Sequence, residues 1–149
     1  EELAHDIDVT MRVWSLPKPV IAAVCGWCLG GACEVAMACD LIVAADHAEF
    51  FLPELSLGIV PDAGGAQRLP RRLPWFLAME LLLTGENIDA RRACDIGLIN
   101  RVVPREQLMD DLLEEYRDAG CTHVMLELWG DKRHDQIRLF GEKVLPHFR

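Results

Sequence analysis

Leu3, Ile7, Met11 and Trp14 recur at helical spacing with acids between them, which predicts a helix over residues 1–14. The segment "SLPKP" ends it, because each proline disfavours helical geometry in the residue before it. "VIAAVCG" (20–26) is apolar, partly β-branched and closed by glycine, the pattern of a buried strand. "WCLGG" then predicts a turn, and "ACEVAMAC" (32–39) a helix of small residues. "DLIVAAD" (40–46) predicts a second buried strand and "AEFFLPE" a third, breaking at Pro53.

Beyond "LGIVPDAGG" the pattern turns helical: "AQRLPRRL", then "PWFLAMELLLTG" with a stop at Gly85, then the short "NIDARRACDIG" closed by Gly97. "LINRVV" predicts a strand, and "PREQLMDDLLEEYRDAG" a helix with proline at its start and glycine at its end. "CTHVMLEL" predicts a last strand and "DKRHDQIRLFGEKVLPHF" an amphipathic helix. Strands and helices alternate throughout without a repeat or low-complexity linker, so the expected class is α/β.

Composition narrows the functional classes. A chain of 149 residues, 51% hydrophobic, can bury one ordinary core. A formal charge of −9 argues against a general nucleic-acid or membrane-surface role. No apolar run reaches the roughly 18 residues of a membrane helix, and the acidic first residues are unlike a signal peptide. Six cysteines without a secretory signal suggest free thiols and a cytoplasmic location. The sequence opens inside a helix and without methionine, so a fragment or processed piece is expected.

Four of those cysteines, Cys25, Cys28, Cys33 and Cys39, crowd one stretch. Cys25-Gly-Trp-Cys28 has dithiol spacing, but a redox pair belongs at a helix start, where the dipole lowers a thiol pKa. Cys25 instead ends an apolar strand, and Cys33 and Cys39, six apart on one helix, fall on opposite sides. Packing as small hydrophobes is the favoured reading, and no metal is expected. The adjacent "LGG" turn, leading from strand to helix, aims backbone N–H groups at one point and can stabilise an oxyanion. It can equally serve only as a tight connection.

Two acids stand in apolar surroundings: Glu34 in the first turn of the small-residue helix, and Glu54 between Pro53 and "LSLGIVP". Paired in an apolar pocket, they would have raised and separated pKa values suited to general acid and base work. Taken singly, each also reads as a salt-bridged or surface glutamate.

The run "KPVIAAVCGWCLGGACEVAMACDLIVAADHAEFFLPELSLGIVPDAGGAQRLPRRLP", followed by "LLLTGENIDARRACDIGLINRVVP", resembles the crotonase family of enoyl-CoA hydratases and isomerases. The resemblance covers roughly residues 1–115 and is nearest in look to carnitinyl-CoA dehydratases. It implies a partial crotonase-type ββα spiral core with C-terminal helices. It implies that Gly31 is an oxyanion donor to the thioester carbonyl of an acyl-CoA and that Glu34 and Glu54 are the two catalytic carboxylates. Trp27, Gly30, Pro53, Gly58 and Asp62 are expected to line the substrate site. The implied reaction is addition of water to an enoyl thioester, or its reversal, a lyase reaction of fatty-acid metabolism. It needs no cofactor beyond the CoA of the substrate.

Asp62 also matches an acid that dienoyl-CoA isomerases and some dehydratases carry, which opens double-bond isomerisation as an alternative. It reads equally well as the N-cap of the following helix. Arg68, Arg71 and Arg72 could meet CoA phosphates, but a solvated basic edge is the favoured reading. A homo-oligomer, trimer or hexamer, is the family expectation. The family's N-terminal half, with its second oxyanion donor, is not represented in these residues, so a non-catalytic acyl-CoA-binding or assembly fragment is a further alternative. Residues 116–149 depart from the family and resemble the last strand and helix of luciferase-like flavin-dependent monooxygenases. They carry no flavin-binding signature.

Overall fold

A computed structural model describes residues 2–109 and 125–126. Helix α1 (Glu2–Trp14) leads into strand β1 (Ile21–Val24), the short strand β2 (Trp27–Leu29) and helix α2 (Gly31–Ala38). Strands β3 (Leu41–Ala45) and β4 (Glu49–Phe51) follow, then a 3-10 turn over Glu54–Leu57. Helices α3 (Gly65–Arg72) and α4 (Trp75–Thr84), strand β5 (Ile88–Asp89), helix α5 (Ala90–Asp95) and strand β6 (Arg101–Val103) complete the main body. A 3-10 turn spans Arg105–Gln107, and Met125–Leu126 form strand β7.

Four strands make a parallel sheet in the order β6-β3-β1-β7, with Ile21 opposite Leu41 and Ala22 opposite Met125. Both faces are covered, as expected of parallel strands. Ala22, Val24, Ile42 and Ala44 point into the main core with α2, while Ile21, Ala23, Val43 and Ala45 join Val103 and Leu108 on the other face. The two-residue period of the strand assigns these faces. A second sheet, β2-β4-β5, carries the connection into the candidate site.

Two local expectations are corrected. Trp27–Leu29 is strand rather than turn, because parallel pairing with Glu49–Phe51 satisfies its backbone. Ile88–Asp89 is likewise taken out of the expected helix by pairing with β4, and the Asp89 side chain caps α5 by accepting from the Arg92 amide at 2.7 Å. In α1, Ile7, Met11 and Trp14 are exposed and Thr10 is buried. The helix turns this face inward to meet α2, and Met11 and Trp14 lie over an arginine of α3 instead. The expected helix after Pro104 begins with a 3-10 turn, and its continuation and the final helix lie outside the described residues.

Cys28, Cys33 and Cys39 are core residues, and Cys25 is exposed. Cys33 and Cys39 face the same core even though they leave α2 in different directions, because that helix is buried almost all round.

The basic segment of α3 is not a solvated edge. Arg68 is buried and Arg71 alone of the three is exposed. Arg72 donates through Nη2 to the carbonyls of Met37 (2.9 Å) and Cys39 (2.6 Å), closing the C-terminal end of α2. Removing a charged donor from two enclosed carbonyls leaves both under-satisfied. Arg72→Met is therefore expected to cost about 2–3 kcal/mol in urea unfolding. An unchanged midpoint would show that this tie contributes nothing.

Candidate active site

Two glutamates enter the space between α2, the 3-10 turn and the start of α3. Glu34 projects from the first turn of α2 and Glu54 opens the 3-10 turn, and both are buried, at 2% and 7% exposure. The local sequence dictates both placements. Gly30 adopts φ +50°, a left-handed conformation that L side chains avoid, and this lets β2 turn directly into α2. Pro53 cannot donate a backbone hydrogen bond, and β4 ends two residues before it, where the chain coils into the Glu54 turn.

The two carboxylates are seated against glycines. A Cβ on Gly30 would lie 2.9 Å from Glu54 Oε1 and 3.9 Å from Pro53 Cδ. A Cβ on Gly65 would lie 2.8 Å from Glu34 Oε1. The Gly65 amide donates to that same oxygen at 2.6 Å. Glu54 Oε2, by contrast, is buried without a hydrogen-bond partner among the described residues. A buried polar atom left in that state costs free energy and calls for a functional or structural reason.

Burial raises the Glu34 carboxyl above its ordinary range; the Gly65 and Ala63 amides oppose the shift, and the negative charges of Glu54 and Asp62 add to it. Burial raises Glu54 as well, against its own backbone amide and with help from Asp62. Two carboxyls that each hold protons more tightly than in water can divide the ionised and protonated roles between them.

The start of α2, the helix that carries Glu34, also supplies a donor. The Gly30 amide is consumed by the Phe51 carbonyl at 3.0 Å. Gly31, the first and exposed residue of α2, carries an N–H with no intrahelical acceptor. Of the other expected site residues, Pro53 borders Gly30 and half-buried packing holds it there. Asp62 is exposed on the loop before α3 and acts on both carboxyls through its charge. It does not cap α3, whose N-cap is Gly64 without a side-chain bond. Gly58, at φ +75°, closes the Glu54 turn, its amide bonding to Leu55. Trp27 lies on β2, 67% exposed.

The family model for enoyl-CoA hydratase/isomerase matches residues 4–123. The chain belongs to this family. A carnitinyl-CoA dehydratase of Citrobacter koseri is 52% identical over 103 residues, which are 69% of this chain and 40% of that protein. A probable enoyl-CoA hydratase of Mycobacterium leprae is 52% identical over 111 residues, 74% of this chain and 42% of that one. The crystal structure of an enoyl-CoA hydratase from Bacillus anthracis superposes with a TM-score of 0.78 at 39% identity, covering 81% of this chain and 46% of its own. The chain thus spans about two fifths of the length of the curated relatives it matches.

As a member of the enoyl-CoA hydratase/isomerase family, the chain carries part of the crotonase fold in its α/β body. Two residues of the site escape a reading of the sequence as chemistry. Gly65 looks like one more loop glycine in "DAGG", and its role follows only once Glu34 lies against it. Arg68 looks like surface charge in "RLPRR" and is buried below the same loop. Among the described residues no helix is long and apolar enough to cross a membrane.

Proposed function

We propose that this chain hydrates a 2-enoyl-CoA, or dehydrates the corresponding 3-hydroxyacyl-CoA, through Glu34, Glu54 and the Gly31 amide. The observation that supports this most strongly is the buried pair Glu34 and Glu54, both raised in proton affinity, with the Gly31 amide at the start of the helix that carries Glu34. In hydration, water oxygen forms a bond to C3 and gives its proton to the ionised carboxylate. The C2–C3 π electrons move toward the thioester, whose oxygen gains enolate charge against the Gly31 N–H. C2 then takes a proton from the protonated carboxyl, the π bond is consumed, and the thioester carbonyl is restored. No electron leaves the substrate, and the CoA is part of it.

The test is hydration of crotonyl-CoA by the purified chain, followed as loss of the conjugated thioester absorbance. Turnover above the protein-free background is the expected result. A folded chain without turnover overturns the reading for these residues.

The charge of Asp62 on both carboxyls favours a second reading, double-bond isomerisation, in which Asp62 moves a proton along the acyl chain. Asp62→Asn is then expected to abolish isomerisation of a 3-enoyl-CoA while hydration survives. Equal loss of both activities, or of neither, counts against that role.

A further inference from the structure

Arg68 is 7% exposed, and among the described residues no carboxylate lies within salt-bridge distance of it. Burial depresses its proton affinity, partly offset by the Glu34 charge and further lowered by Arg72 and Arg71. A buried cation in that setting is costly, and an apolar side chain of similar length would fill the same space without the desolvation penalty. What only a guanidinium supplies is its set of contacts. Nη1 donates to the Ala63 carbonyl at 2.7 Å. The group sits so close under Gly64 that a Cβ there would overlap it, and Gly64 holds φ +108°. From the other side α1 closes over it: the Trp14 ring centroid is 5.0 Å from Cζ, and Met11 Sδ is 4.0 Å from Nη2.

The gripped segment is the one that touches Glu34. The Ala63 and Gly65 amides face the Glu34 carboxyl, while the Ala63 carbonyl on the far side accepts from Arg68. We propose that Arg68 is a positioning residue, its guanidinium anchoring the 63–65 loop so that the Gly65 amide fixes the orientation of the Glu34 carboxyl. Glu34 is also faced by Glu54 from the 3-10 turn and by Asp62 from the loop, and its own negative charge acts on Arg68. Because the attraction between Arg68 and Glu34 is mutual, losing the cation also favours the protonated carboxyl.

The experiment is an NMR titration of the full chain, with the Glu34 side-chain carboxyl assigned by its loss in Glu34→Gln and the Gly65 amide read in the same samples. In Arg68→Met the Glu34 midpoint is expected to rise and the Gly65 amide proton to move upfield as its short hydrogen bond loosens. Arg68→Lys, which keeps charge but loses the fork, is expected to hold the midpoint nearer to wild type while the Gly65 amide still moves. If Arg68→Met does not fold, the Lys variant alone decides. A lowered melting temperature with both signals unchanged overturns the proposal, since a merely structural arginine gives that result. The activity arm rests on Glu34 as a working carboxyl: kcat for crotonyl-CoA falls by up to about 10²-fold with KM little changed. A shifted Glu34 signal with unchanged turnover upholds the positioning and sinks the role given to Glu34.

Discussion

Glu34→Gln is expected to lower hydration of crotonyl-CoA by about 10²–10⁴-fold, the range of a general acid or base, while making the chain more stable at neutral pH. The two effects share one origin. Glutamine keeps the shape and still accepts the Gly65 amide at the position of Oε1, but it neither takes nor gives a proton. Burial raises the Glu34 carboxyl above its ordinary value of 4.5. Between that value and the raised one the folded state therefore binds more protons than the unfolded state. The wild-type chain thus loses stability as pH climbs through this window. The amide has no such titration, so its advantage in melting temperature appears above pH 4.5 and disappears below it. Glu54→Gln is expected to behave alike, because its carboxyl is raised by burial too and its Oε2 has no partner to lose among the described residues.

Residues that act as one unit give non-additive losses, so the double variant should be little slower than the worse single one. Turnover kept in either variant would remove that carboxyl from the mechanism. A melting temperature that falls at neutral pH would mean that the carboxylate is stabilised by contacts stronger than its desolvation. Stability measured between pH 4 and 8 alongside the rates separates these outcomes.

How far the sequence discloses this site depends on the range of the interactions involved. The strands at 21–24 and 41–45 are legible because continuous apolar runs between polar breaks have few other solutions. The shorter strands at 27–29 and 88–89 are not, since pairing with β4 alone creates them. Glu34 and Glu54 are recognisable as acids out of place in apolar company. Gly65 and Arg68 are not, because their roles depend on a loop folded back across thirty-one residues of sequence. The same limit explains α1. The spacing of Ile7, Met11 and Trp14 predicts the helix, yet the neighbour beneath Trp14 is a guanidinium, which the periodicity of α1 cannot reveal.

Gly65→Ala should be a damaging methyl group by packing alone, and Gly31→Ala a benign one. Neither glycine has a positive φ, so the backbone accepts alanine at both, and space alone decides. At Gly65 the new Cβ would meet Glu34 Oε1 at 2.8 Å, Pro61 Cβ at 2.9 Å and Glu34 Cγ at 3.2 Å. Glu34 must rotate or the loop must back away from α2, and either movement breaks the 2.6 Å bond from the Gly65 amide. Overpacking of this kind costs about 1–3 kcal/mol, and a displacement near 1 Å at a reacting group costs about 10²-fold in rate. At Gly31 nothing lies within 4 Å of the new Cβ. Alanine there keeps the backbone N–H and restricts the unfolded chain, for a gain of about 0.4–1 kcal/mol. Melting temperatures should thus move in opposite directions for two substitutions of identical chemistry. A Gly65→Ala chain that melts like wild type and keeps its rate would show that Glu34 does not depend on this seat. Loss of hydration in Gly31→Ala with the fold intact would instead mean that the substrate needs the space above the Gly31 amide as well as its proton.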